Sequence, residues 1–178
     1  MRGYFAIGAE GISKPMNLGS LMRSAHAFGA SFFFTIEAAC DAWEVKQADT
    51  SDAGKHLPLY TYASVPELAL PRGCALVGVE LTEEAIELPS FYHPQAAAYV
   101  LGRERGSLSP ALQARCDHLV KIPTKFCVNV GTAGAIVMYD RMISQGRRFA
   151  RRPANPRVAA QPLPAHVQGP QKVRRKKV

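Results

Sequence analysis

From Tyr4 to Ile36 the chain reads YFAIGAEGISKPMNLGSLMRSAHAFGASFFFTI, and this stretch decides the fold class. Tyr4-Phe5-Ala6-Ile7-Gly8 has the length and composition of a short buried strand. Pro15 and Asn17 then signal a helix start, with Asn17 suited to cap it. Leu18, Leu21, Met22, Ala25 and Phe28 recur at helical spacing, and Gly29 supplies the stop. Phe32-Phe33-Phe34-Thr35-Ile36 follows as a second strand. A strand, a helix and a strand in so short a span point to a parallel crossover unit.

The same alternation continues outward. Leu57-Pro58-Leu59-Tyr60-Thr61-Tyr62 reads as a short strand and Val65-Pro66-Glu67-Leu68 as the start of a short helix. Ala75-Leu76-Val77-Gly78-Val79, Ala98-Tyr99-Val100-Leu101-Gly102 and His118-Leu119-Val120-Lys121-Ile122-Pro123 are further strands, with helices over residues 110–115 and 129–146. The strands are near-continuous apolar runs, as expected where helices cover both faces of a sheet. The reading is an α/β domain with a mainly parallel sheet flanked by helices.

The 178 residues leave room for one domain of ordinary size with a substantial core. Hydrophobic residues at 47% and charged residues at 20% describe a globular protein rather than an intrinsically disordered one. No apolar run reaches the roughly 18 to 20 residues of a membrane span, and Met1-Arg2-Gly3 leads straight into a strand without a leader. The expectation is a cytoplasmic protein with no membrane partner. Cys40, Cys74, Cys116 and Cys127 form no CxxC pair and are read as reduced, mostly buried residues, with no metal site. The five histidines are scattered singly and are read as structural or surface residues.

The net charge of +8 is unevenly placed. Residues 147–178 hold ten Lys or Arg and no Asp or Glu, leaving 12 basic against 14 acidic groups in residues 1–146. Pro153, Pro156, Pro162, Pro164 and Pro170 break any continuous helix there. The division is therefore a folded domain over residues 1–146 and a basic, proline-containing, disordered tail over 147–178 that suits phosphate contact with little sequence preference.

Neither common nucleotide fingerprint is present: no GxGxxG follows the first strand, and Gly54-Lys55-His56 lacks both the upstream glycine and the hydroxyl residue of a phosphate loop. Ligand binding falls instead to three loops, after Val79-Glu80, Leu101-Gly102 and Lys121-Ile122-Pro123, because open α/β sheets bind beyond the carboxyl ends of their strands. Gly102 lets a backbone approach a flat ring closely, and Ile122 and Val128 offer apolar contact and peptide groups.

Three segments come in a fixed order: Asn17-Leu18-Gly19-Ser20-Leu21-Met22-Arg23-Ser24-Ala25, then Leu101-Gly102-Arg103-Glu104-Arg105-Gly106-Ser107-Leu108-Ser109, then Ile122-Pro123 with Cys127-Val128-Asn129-Val130-Gly131-Thr132-Ala133-Gly134-Ala135-Ile136-Val137-Met138-Tyr139. Together they resemble the three motifs of the SpoU (TrmH-type) RNA ribose methyltransferases of the SPOUT superfamily, over roughly residues 4–142. The resemblance implies a C-terminal trefoil knot built from about residue 75 to 146, a homodimer, and S-adenosylmethionine held bent in the knot, largely by backbone groups. By that resemblance Val79, Glu80, Gly102, Ile122 and Val128 contact the cofactor.

The resemblance also pairs Asn17 with Arg23, makes Arg23 the residue that helps deprotonate a ribose hydroxyl, has Glu104 orient the first motif, and gives Asn129 a ribose or loop contact. Arginine stays protonated at neutral pH, so Arg23 fits a clamp on the adjacent phosphate that stabilises the forming alkoxide, with a backbone phosphate or a transiently neutral arginine taking the proton. The chain departs from the family pattern at Ser107, where glycine is usual, and at Cys127 and Gly131, where serines are usual. The implied activity is methyl transfer to a ribose 2′-hydroxyl of tRNA or rRNA. The alternatives are a knotted RNA-binding protein without catalysis and a base-methylating enzyme of the same superfamily. Because Tyr4 already begins the sheet, no separate N-terminal RNA-recognition domain is expected, and the tail partly replaces it.

Overall fold

The computed structural model describes residues 3–39, 56–104 and 106–145, all within one compact unit. The basic tail and Cys40 lie outside the described residues. Seven parallel strands form the sheet: β1 (Tyr4–Glu10), β2 (Phe32–Ile36), β3 (Leu59–Tyr62), β4 (Ala75–Val79), β5 (Ile86–Glu87), β6 (Ala96–Leu101) and β7 (His118–Lys121). Their order is β3-β2-β1-β6-β4-β7-β5. At the centre Ile7 of β1 stands between Phe33 of β2 and Tyr99 of β6.

Alternate side chains of these strands enter two cores, which is why the runs are apolar without interruption. Ile7, Phe33 and Tyr99 face the layer of α1 (Pro15–Phe28) and α3 (Val130–Gln145). Ala6, Phe34, Ala98 and Val100 face the layer of α2 (Pro110–Arg115) and the turn at Val65–Glu67. α1 buries Leu18, Leu21, Met22 and Ala25, the stripe its spacing predicts. Gly29 ends it at φ 77°, with the Schellman hydrogen bonds Gly29 N–H to His26 O (3.1 Å) and Ala30 N–H to Ala25 O (2.9 Å).

Local expectations differ from the structure at several points. β1 runs two residues past Gly8 to Glu10, and β6 begins at Ala96 rather than Ala98. β5 has no sequence signal, because two residues pair with β7 only once that strand is in place. Asn17 is not the cap of α1: the helix starts at Pro15 behind Lys14, and Asn17 sits in the first turn.

The uncharged start of α3 explains its close packing on α1. A Cβ on Gly134 would lie 2.1 Å from Leu21 Cδ1 and 3.3 Å from Ile7 Cδ1, and one on Gly131 would lie 2.9 Å from Ser20 Oγ. The room that a serine at 131 would need is thus held by the Ser20 hydroxyl. At the opposite end of α3, buried Arg141 donates to the carbonyls of Pro94 (2.6 Å), Gln95 (2.7 Å) and Tyr4 (3.2 Å) and to Tyr99 Oη (3.2 Å). Tyr99 Oη lies 2.6 Å from His93 Nδ1, and His93 Nε2 lies 2.9 Å from Asp140. The helix is thereby fastened to the amino-terminal edge of the sheet.

Candidate active site

Three loops leave the carboxyl ends of neighbouring strands β4, β6 and β7 and converge on one pocket. Val79, Leu101, Ile122, Val128, Val130 and Ala133 make its apolar wall. Glu80 braces two of the loops, its carboxylate accepting from the N–H of Leu81 (3.0 Å) and of Leu108 (2.7 Å). A second brace was not visible in the sequence: Glu10, 6% exposed at the end of β1, accepts from Ser109 N–H (2.7 Å) and Ser109 Oγ (2.5 Å). Ser109 in turn caps α2 through Leu112 N–H at 3.2 Å. The only local sign was an acidic residue closing an apolar strand.

Beside the pocket three side chains from three segments join. Glu104 accepts from Ser13 N–H (3.3 Å), Ser13 Oγ (3.1 Å), Lys14 N–H (2.9 Å) and Asn17 Nδ2 (3.1 Å). Its carboxylate therefore lies at the electropositive start of α1 and satisfies peptide donors there. Burial raises the Glu104 pKa, but hydrogen bonds from its own backbone, Asn17, Lys14 and Ser13 outweigh it and leave the group below the usual carboxylate range. Asn17 Oδ1 accepts from Asn129 Nδ2 (3.0 Å), and Asn129 Oδ1 caps α3 by accepting from the N–H of Gly131 (2.9 Å) and Thr132 (3.4 Å). One hydrogen-bonded chain thus links the starts of α1 and α3 to the loop after β6.

A family model, SpoU rRNA Methylase family, matches residues 4–139, which span every element from β1 into α3. The chain belongs to the SpoU rRNA Methylase family. Among proteins of known activity, this SpoU family chain is 27% identical over 137 residues to the mouse (Mus musculus) tRNA (guanosine(18)-2'-O)-methyltransferase TARBP1, covering 72% of this chain and 9% of that protein. It is 26% identical over 140 residues to the 23S rRNA (uridine(2479)-2'-O)-methyltransferase of Streptomyces viridochromogenes, covering 72% of this chain and 48% of that one. The chain therefore spans about half or less of these relatives. The crystal structure of the SpoU methyltransferase AviRb from Streptomyces viridochromogenes in complex with AdoMet matches with a TM-score of 0.72 and 25% identity, covering 83% of this chain and 60% of that chain.

All five positions assigned to the cofactor from the SpoU motifs, Val79, Glu80, Gly102, Ile122 and Val128, line the one pocket. Asn17, Glu104 and Asn129 are brought together beside it, whereas Arg23 lies exposed six residues along α1, about 9 Å by helical rise, and takes no part in the two bonds that join them. A Cβ on Gly102 would meet Leu108 N at 3.1 Å and Ser107 C at 3.2 Å, so this glycine also permits the close approach of its own loop. One detail corrects the sequence reading. Cys127 is exposed and lines the pocket, unlike half-buried Cys74 and Cys116; all three are free thiols, and burial pushes Cys116 up to about 12. Among the described residues no cluster of metal-ligating side chains occurs.

Proposed function

We propose that the chain is an S-adenosylmethionine-dependent RNA methyltransferase acting on a ribose 2′-hydroxyl of tRNA or rRNA. The observation that carries the reading is the pocket at the ends of β4, β6 and β7 lying beside the Asn17–Glu104–Asn129 chain. The names of the relatives and the AdoMet complex of AviRb support it. The pocket suits the cofactor: its wall is apolar, as an adenine face requires, and the Glu80 carboxylate is turned to Leu81 and Leu108 peptide donors. When bound, S-adenosylmethionine supplies an electrophilic methyl group.

The chain's own residues position the acceptor. Glu104 holds Asn17, Asn17 holds Asn129, and the amide hydrogens that remain on the two asparagines are donors for a ribose. Arg23, exposed on α1, serves as a clamp on phosphate and on the developing alkoxide, with a backbone phosphate or a transiently neutral arginine taking the proton.

The same reading includes a trefoil knot over residues 75–146 and a cytoplasmic homodimer. Tyr139 and Ile143, each 48% exposed on α3, are apolar surface for the partner subunit. It also includes the division into a catalytic domain over residues 1–146 and an RNA-holding basic tail over 147–178. Methyl transfer from radiolabelled S-adenosylmethionine to bulk tRNA and rRNA, followed by mapping of the modified position, tests the activity. A label on ribose is expected. A label on a base, or none with donor binding intact, rejects the reading.

A further inference from the structure

We propose that Arg103 holds an RNA phosphate at the mouth of the pocket; the assignment rests on the methyltransferase reading and extends it to substrate contact. Among the described residues lining the pocket only Glu80 and Arg103 are charged, and Glu80 is engaged by two backbone N–H groups. Arg103 is exposed. Its sequence neighbour Glu104 is turned away to Ser13, Lys14 and Asn17, and among the described residues no ion pair includes Arg103.

The stem of Arg103 is nevertheless laid down. It runs between glycines of two different loops. A Cβ on Gly106 would stand 3.1 Å from its Nε and 3.2 Å from Cδ and Cγ, and one on Gly11 would stand 3.7 Å from its Cβ and 3.9 Å from Nε. Gly11 holds φ +61°, a conformation that favours glycine, so the channel wall on that side is built without a side chain. Both glycines thus leave room for this stem beside the pocket, and the planar fork of an arginine matches two oxygens of one oxyanion.

A phosphate of RNA is the occupant the surroundings favour. Lys125 is exposed in the loop between the lining residues Thr124 and Cys127, and Lys14, which bonds Glu104 next to Arg103 through its N–H, is exposed as well; more than one cation near the site suits a polyanion better than a single carboxylate. The other oxyanion available to this pocket is the carboxylate of the methyl donor.

The full-length protein and its Arg103→Ala and Arg103→Lys variants separate the two. Calorimetry with S-adenosylmethionine and with 5′-methylthioadenosine, which lacks the carboxylate, reads the donor. Anisotropy of a fluorescein-labelled 12-nucleotide mixed-sequence RNA across a salt series reads phosphate contact. Methyl transfer to bulk tRNA and rRNA reads turnover. Arg103→Ala is expected to leave both donor affinities within twofold, to raise KM for RNA roughly tenfold with kcat moving less, and to flatten the salt slope by about 0.7. Arg103→Lys should restore the slope and only part of KM. Loss of S-adenosylmethionine affinity with methylthioadenosine affinity intact would overturn the proposal in favour of the donor carboxylate, and unchanged RNA binding in Arg103→Ala would overturn it outright. Failure of the wild type to methylate any RNA would reject the methyltransferase reading instead, while the anisotropy series still decides whether Arg103 meets phosphate.

Discussion

Asn17 uses both ends of its amide, donating to Glu104 and accepting from Asn129, so one small side chain ties two helix starts to one loop. Glu104→Gln replaces a charged acceptor of four hydrogen bonds by a neutral one. It should lower stability by about 1–2 kcal/mol, read as a shift of the urea midpoint. The sign with pH follows from a pKa held below the ordinary 4.5. The stabilisation is complete above 4.5 and is lost as pH falls through the lowered value, so the acid side of the wild-type stability curve should be steeper than that of the variant. Arg23→Ala should abolish methyl transfer while calorimetry shows donor affinity within twofold, and Arg23→Lys should also fail because an ammonium cannot reproduce a planar fork. Near-normal turnover in either would take Arg23 out of the reaction. The motif residues were legible because each carries a distinctive functional group, but what Gly102 adjoins was not. A glycine announces a close approach without saying what approaches, and here it is the backbone of Ser107 and Leu108.

α3 shows how an element's composition answers to its neighbour. Alanine is favoured over glycine in a helix by about 1 kcal/mol, yet at Gly134 the new methyl would meet Leu21 Cδ1 at 2.1 Å with Ile7 behind it. Overpacking of that kind costs about 1–3 kcal/mol, so Gly134→Ala should destabilise despite its better propensity. At Gly131 the first atom met is the hydroxyl of exposed Ser20, which can rotate away, so Gly131→Ala should cost less. Urea unfolding of both variants checks the order, and a smaller loss at Gly134 would contradict the packing argument. The helices and the long strands were legible in the sequence because their signals are local: Pro15 and Gly29 bound α1, and Leu18, Leu21, Met22 and Ala25 give its buried stripe. β5 was not, since Ile86 and Glu87 are a strand only by virtue of Val120 and Lys121 beside them.

Across the whole molecule, the pocket sits at the carboxyl ends of the strands and a buried polar chain at their amino ends. Arg141 donates to Tyr99, the Tyr99 hydroxyl faces His93 Nδ1, and His93 Nε2 faces Asp140, an order that suits a neutral imidazole. Burial lowers the His93 pKa from 6.5, more than the Asp140 hydrogen bond raises it. As pH falls below 6.5 the unfolded chain takes a proton that the folded one refuses, so stability should drop between pH 6.5 and the lowered value. His93→Gln should flatten that part of a melting-temperature profile; an unchanged slope would remove His93 as its source. The tail is tested on the same scale. Ending the chain after Gly146 should weaken RNA binding and flatten its salt dependence by roughly 0.7 for each phosphate that the tail neutralises, with donor affinity kept. By itself the sequence determined the alternation of strands and helices, the apolar faces, the unequal distribution of charge and the motif residues, because these depend on neighbours along the chain. Only the tertiary structure decided the strand order, the bracing of Ser109 by Glu10, and the meeting of Asn17 with Glu104 and Asn129. Those partners are 87 and 112 positions away along the chain, and no local preference encodes which distant side chain will stand within 3.1 Å.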